Sequence, residues 1–237
     1  MPTLVDILER LSFLAAMPAV AGIFVTAMIL VVSRDWRLNV MALTVQYFFV
    51  VLLLTRLIRL EVAAVKGLIG WMICMVFYLT ERRASAFGEH ADGRHPSDVF
   101  HPPVPEHEDE DAAASQRYRR WVMSARSSFC LLAGLLVSVA AYTATLRFPL
   151  PEVPTDITLA CYLLAGLGLL LVGLSEAPMQ VGFGLLTFLL GFDLFYVALE
   201  PSLAVAGLLG AVSFVIALST AYLRVAQIAA SSEGEAS

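Results

Sequence analysis

Long runs without Asp, Glu, Lys, Arg or His alternate with short polar breaks along the chain. The runs cover residues 11–33, 38–55, 67–80, 127–146, 157–175, 177–192 and 201–223. None alternates apolar with polar as a half-exposed strand does, which argues against a membrane barrel. A helix needs about 20 residues to cross ~30 Å of hydrocarbon, so the runs predict seven helical spans. Two runs reach that length only by taking in a charge. The third must begin near Val62 and include Lys66, and the sixth must continue to Leu199 and include Asp193. The predicted fold is all-α: a polytopic integral membrane protein of seven transmembrane helices.

Turn residues agree with this division. Thr155 and Asp156 stand where they can cap the fifth span, and Pro178 and Pro201 fall in the first turns of the sixth and seventh, where a missing backbone donor costs nothing. Pro18, inside the first span, is expected to kink it or free a carbonyl. The connections at 175–178 and 200–201 are so short that spans five, six and seven must be antiparallel neighbours. Gly182, Gly184 and Gly191 on the sixth span, with Ala206, Gly207, Gly210 and Ala211 on the seventh, mark faces where backbones can approach closely.

Residues 81–126 break the pattern, holding 16 of the 35 charged residues, all four histidines and four of the eleven prolines. Such a segment buries too little to offset its ordering entropy and is expected to be disordered. Its basic, aromatic end, Arg117–Phe129, is expected to form a short helix at headgroup level. Four regions result: a three-helix membrane segment at 1–80, the His- and Pro-rich loop at 81–126, a four-helix membrane segment at 127–224, and a flexible tail at 225–237.

Composition then excludes a class. Hydrophobic residues make up 59% of the 237, charged residues 15%, and mean hydropathy is +0.80. A water-soluble enzyme cannot be covered by so few charges. The net charge of −5 decides little, because 16 of the 35 charged residues are concentrated in one segment. The arginines set orientation. With 81–126 in the cytoplasm, ten of the fourteen arginines lie inside and four (Arg10, Arg56, Arg59, Arg147) outside. The N-terminus is therefore expected outside and the C-terminus inside, in a plasma or inner membrane. The first ten residues hold Asp6 and Glu9 against a single Arg10, unlike a cleavable signal, so span one is expected to be retained.

Candidate chemistry rests on the two charges within the spans. Lys66 is the only lysine. An ammonium can release its proton in an apolar setting whereas a guanidinium cannot, so a proton-handling site favours lysine; alternatively its stem lifts the charge to the interface. Asp193 cannot reach water in that way, and a carboxylate at the bilayer centre costs about 3 kcal/mol on insertion scales. It lies seven residues, about 10 Å, from Glu200 at the span's outer end, and Lys66 enters from the same face. An intramembrane pair or charge relay of Lys66 with Asp193 is the candidate site; a contact of either with another subunit competes with it.

Secondary candidates are weaker. Glu61, with Arg56 and Arg59, reads as an interface charge, and Gln46 and Thr44 could hydrogen-bond between helices. His90, His95, His101 and His107 lack metal-site spacing, and Cys74, Cys130 and Cys161 sit in separate apolar runs as small hydrophobes. No catalytic, cofactor-binding or metal residues are assigned. The sequence points to no cofactor, nucleic acid or small-molecule substrate.

Three stretches, RDWRLNVMALTVQYFFVVLL, VAAVKGLIGWMICMVFYL and the closing pair from Gly182 to Leu223, resemble the layout of hydrogenase-4 component E and, through it, the NuoK-like small membrane subunits of complex I and cation antiporters. The likeness lies in span order, a basic residue before span two, a lysine early in span three and a glycine-punctuated last hairpin. It implies packing beside antiporter-like integral subunits. Such subunits usually carry a membrane glutamate where Thr187 stands here, and Asp193 is the nearest acid, on another part of the helix face. The leading expectation is a non-catalytic integral subunit of a proton- or cation-translocating, complex I-like or membrane-hydrogenase-like assembly. The alternatives are a stand-alone small transporter or channel, and a membrane scaffold or sensor acting through 81–126.

Overall fold

The computed structural model describes residues 4–57, 60–92, 108–150, 153–199 and 202–234, with side chains from 17–57, 63–83, 127–150, 153–199, 202 and 204–230. All regular structure among them is helical: α1 (Leu4–Val32), α2 (Trp36–Leu54), α3 (Leu60–Asp92), α4 (Glu108–Arg147), α5 (Thr155–Leu174), α6 (Pro178–Leu199) and α7 (Leu203–Gly234). Six of these contain segments long and apolar enough to cross a membrane, and α1 adds a shorter apolar stretch, Met17–Val32. Helices are what such runs must form, because lipid offers no partner for an unpaired backbone amide. The architecture is that of a multi-pass α-helical membrane protein.

The helices form two layers. α1, α2 and α3 lie side by side in one, and α5, α6 and α7 in the other. α1 faces α5, α2 faces α6 and α3 faces α7, while α4 packs against α1 and α5 at one edge. Short loops made α6 a neighbour of both α5 and α7, and it packs against each. Phe77 of α3 and Phe183 of α6, both almost completely buried, meet edge to face with centroids 5.0 Å apart.

α5 and α6 make the closest approach, and its cause is glycine. A Cβ built on Gly184 would lie 2.8 Å from the Val172 backbone nitrogen, and one on Gly191 would lie 2.8 Å from that of Ala165. No side chain fits there, so the two backbones touch as small residues allow in membrane helices. Gly168 of α5 completes the contact from the other side, a role the sequence did not single out. Gly207, expected on a close-packed face of α7, has nothing within 4 Å of such a Cβ, because the contact on α7 is carried by Gly210 against Ile69.

Several expected boundaries move. α3 runs on to Asp92 and α4 begins at Glu108, so 81–92 and 108–126, the flanks of the expected disordered loop, are helical; 93–107 lie outside the described residues. Arg117–Phe129 is not a separate short helix but part of α4. At 40 residues α4 is about 60 Å long, far more than one crossing requires. α7 likewise absorbs the expected tail as far as Gly234, through a stretch that holds the helix-formers Ala226, Gln227, Ala229 and Ala230. Pro178 opens α6 as expected, α1 is continuous through Pro18, and Pro201 lies outside the described residues. The cap of α5 is corrected: Pro154 occupies that position with no side-chain cap, and Asp156 pairs instead with Arg56 in the turn after α2.

Large apolar side chains remain exposed along α3 (Leu68, Trp71, Met72), α4 (Leu132, Leu136, Val139) and α7 (Leu208, Val215, Tyr222). In water this would be an aggregating surface; against lipid or another membrane protein it is the required one.

Candidate functional site

Three ion pairs among the described residues join helices distant in sequence. Lys66 Nζ of α3 donates to Asp193 Oδ1 of α6 at 2.5 Å, with side chains only 11% and 8% exposed. Arg56, in the turn after α2, donates through Nη1 to Asp156 Oδ2 of α5 at 2.7 Å. Arg224 of α7 donates through Nε to Glu81 Oε1 of α3 at 3.1 Å.

The Lys66–Asp193 pair exists because α3 and α6 cross the bundle in opposite directions. Lys66 lies near the start of α3 and Asp193 near the end of α6, and the Phe77–Phe183 contact lower down holds the same two helices in register. Around the pair, Tyr47, Val50, Leu54, Ile69, Leu190 and Ser213 line a cavity of about 20 Å³. That is room for a single water. In such surroundings the pair's attraction is weakly screened, and either charge alone would be severely penalised.

The other pairs bound the bundle at its two ends. Arg56–Asp156 is about one-fifth exposed, and it joins the expected interface charge to the expected helix cap. Glu81–Arg224 is not evident from sequence, because Glu81 stands at the start of the polar segment 81–126. Its position ending one apolar run, as Arg224 ends another at the same end of the bundle, is the signal that would have found it. Glu81 is 4% exposed and lies on a cavity of about 340 Å³ lined also by Arg34, Asn39, Glu176, Gln180 and Arg224. This end is called the Arg34 end below, and the opposite one the Arg56 end.

The secondary candidates take varied places. Thr44 Oγ1 donates to the Val40 carbonyl of its own helix. Gln46 and Thr187 are fully buried, and neither the Gln46 amide nor the Thr187 hydroxyl has a hydrogen-bond partner among the described residues. Asn39, buried to 1% exposure, donates through Nδ2 to the Ser33 carbonyl while its Oδ1 is unpartnered. Each buried polar group left so costs about 1–3 kcal/mol. Asn39 is not among the sequence candidates, although its seven-residue spacing from Gln46 places both on one face of α2. Glu61 is in the first turn of α3, and its side chain lies outside the described residues, as do those of the four histidines. Cys74, Cys130 and Cys161 are buried free thiols. Compared with family models, curated proteins and solved structures, the chain has no match.

Proposed function

We propose that this protein is a non-catalytic integral membrane subunit of a proton- or cation-translocating assembly of the complex I-like or membrane-hydrogenase-like kind. It crosses a plasma or inner membrane seven times, with the N-terminus outside and the Arg34 end in the cytoplasm. The observation that carries the reading is the buried Lys66–Asp193 pair, which links the two layers where a purely structural contact could be apolar at no loss of stability. Intramembrane charges of this kind commonly handle ions or protons. The uncovered apolar faces of α3, α4 and α7 supply surface for lipid and for antiporter-like subunits. Redox chemistry and the main ion path would belong to those other chains.

Extraction of native membranes in mild detergent tests this. The protein is expected to co-migrate with other integral subunits, and Asp193→Asn is expected to lower ion translocation by the assembly without dissociating it. Recovery as a lone monomer that moves ions in vesicles would instead establish a stand-alone transporter.

A further inference from the structure

Three fully buried side chains, Asn39, Gln46 and Thr187, hold polar atoms with no partner among the described residues, and all three lie on α2 and α6. Those helices face each other through the middle of the bundle. Toward the Arg56 end their interface reaches the 20 Å³ cavity beside Lys66 and Asp193, which Tyr47 and Leu190 line. Toward the Arg34 end it reaches the 340 Å³ cavity, which Asn39 and Phe183 both line. Gln46 follows Asn39 by two turns on α2, and Thr187 follows Phe183 by one turn on α6. The unpartnered groups therefore occupy the stretch between the two cavities.

We propose that the α2–α6 interface binds ordered water, and that Asn39, Gln46 and Thr187 hold a hydrogen-bonded chain of it. The chain gives the Lys66–Asp193 pair proton access from the Arg34 end alone. An amide and a hydroxyl each donate and accept, so each can continue such a chain in either direction. Buried water typically sits where polar side chains would otherwise lack partners, and the small cavity can hold the terminal molecule. Toward the Arg56 end Leu53, Leu54 and Ala63, each at most 1% exposed, offer no polar side-chain atom to extend the chain. A proton arriving by this path adds to a carboxylate oxygen of Asp193 and departs by the same path. Only O–H bonds form and break.

The inference rests on the reading above for the use made of the proton, but the water chain is a property of this protein alone. Co-purification and water access can therefore fail separately. The test is silver-ion accessibility, since Ag⁺ is of water size and caps thiols. In full-length protein with Cys74, Cys130 and Cys161 replaced by Ala, single cysteines are placed by Asn39→Cys, Gln46→Cys and Thr187→Cys. Leu164→Cys, in the apolar core, is the dry control, and exposed Arg37→Cys reports which face of the vesicle carries the Arg34 end. Ag⁺ on that face is expected to abolish later maleimide labelling of the three test thiols in denatured protein. Ag⁺ on the other face is expected to leave labelling intact, as is Ag⁺ on either face for Leu164→Cys. Full labelling of the test thiols after Ag⁺, protection from both faces, or equal protection of Leu164→Cys would overturn the proposal. A density map of the unmodified protein that resolves water provides a second reading. Solvent peaks within hydrogen-bond distance of Gln46 and Thr187 are expected, and a direct Gln46–Thr187 bond excluding water would overturn it.

Discussion

Lys66 and Asp193 stabilise the bundle only while both are present. Replacing Asp193 by Leu leaves an ammonium among Tyr47, Ile69 and Leu190, and replacing Lys66 by Met leaves a carboxylate there. Loss of one partner from a buried pair costs about 3–5 kcal/mol, whereas an apolar pair of similar volume is often neutral. Each single variant is therefore expected to melt well below wild type in detergent, and the double variant Lys66→Met/Asp193→Leu to recover most of the loss. Additive losses in that cycle would mean that the two side chains are not coupled. Both residues are legible in the sequence as charges that interrupt apolar runs, and counting from the helix ends puts them at similar depth. Gln46, Thr187 and Asn39 are less legible as a set. Polar residues in membrane helices usually satisfy themselves locally, as Thr44 does on Val40, and sequence does not show which ones fail to.

At the scale of the helix, the α5–α6 contact sets the tolerance of the fold. Gly191→Val would drive a side chain into the Ala165 backbone nitrogen, which cannot yield as a flexible side chain can. Overpacking costs about 1–3 kcal/mol, so this variant is expected to show a lower thermal midpoint and more aggregate on size exclusion. Gly207→Ala, on α7 with open space at the same point, is expected to stay within about 0.5 kcal/mol of wild type by the same assays. Small residues on α6 and α7 were visible in the sequence; which of them meets a backbone was not. That depends on the rotation of each helix about its axis, and runs apolar on every side do not encode rotation. Helix ends were misplaced for a related reason. Hydropathy reports where a helix leaves lipid, and α3 and α4 continue as helices beyond that point.

For the whole molecule, the order and number of apolar helices follow directly from the runs of uncharged residues, and the pairing of α5 with α6 and of α6 with α7 follows from short loops. The two-layer arrangement, with α2 against α6 and α4 at one edge, does not, because contacts between non-consecutive helices leave no mark in loop length or hydropathy. The proposed topology makes a definite prediction. Arg37 and Arg147, both exposed, lie at opposite ends of the bundle. A cysteine in place of Arg37 should react with an impermeant maleimide from the cytoplasmic side only, and one in place of Arg147 from the outer side only. Reaction of both from one side would remove the orientation.

The 127-residue separation of Lys66 from Asp193 also has a consequence for biosynthesis. Chains are made N-terminus first at about 5–20 residues per second, so on the order of 10 s passes between synthesis of the lysine and of its counter-ion. During that interval the Lys66 ammonium of α3 has no Asp193 to pair with. The ion pair that ties α3 to α6 can therefore form only after most of the chain has been made, so the two layers are joined there late in synthesis.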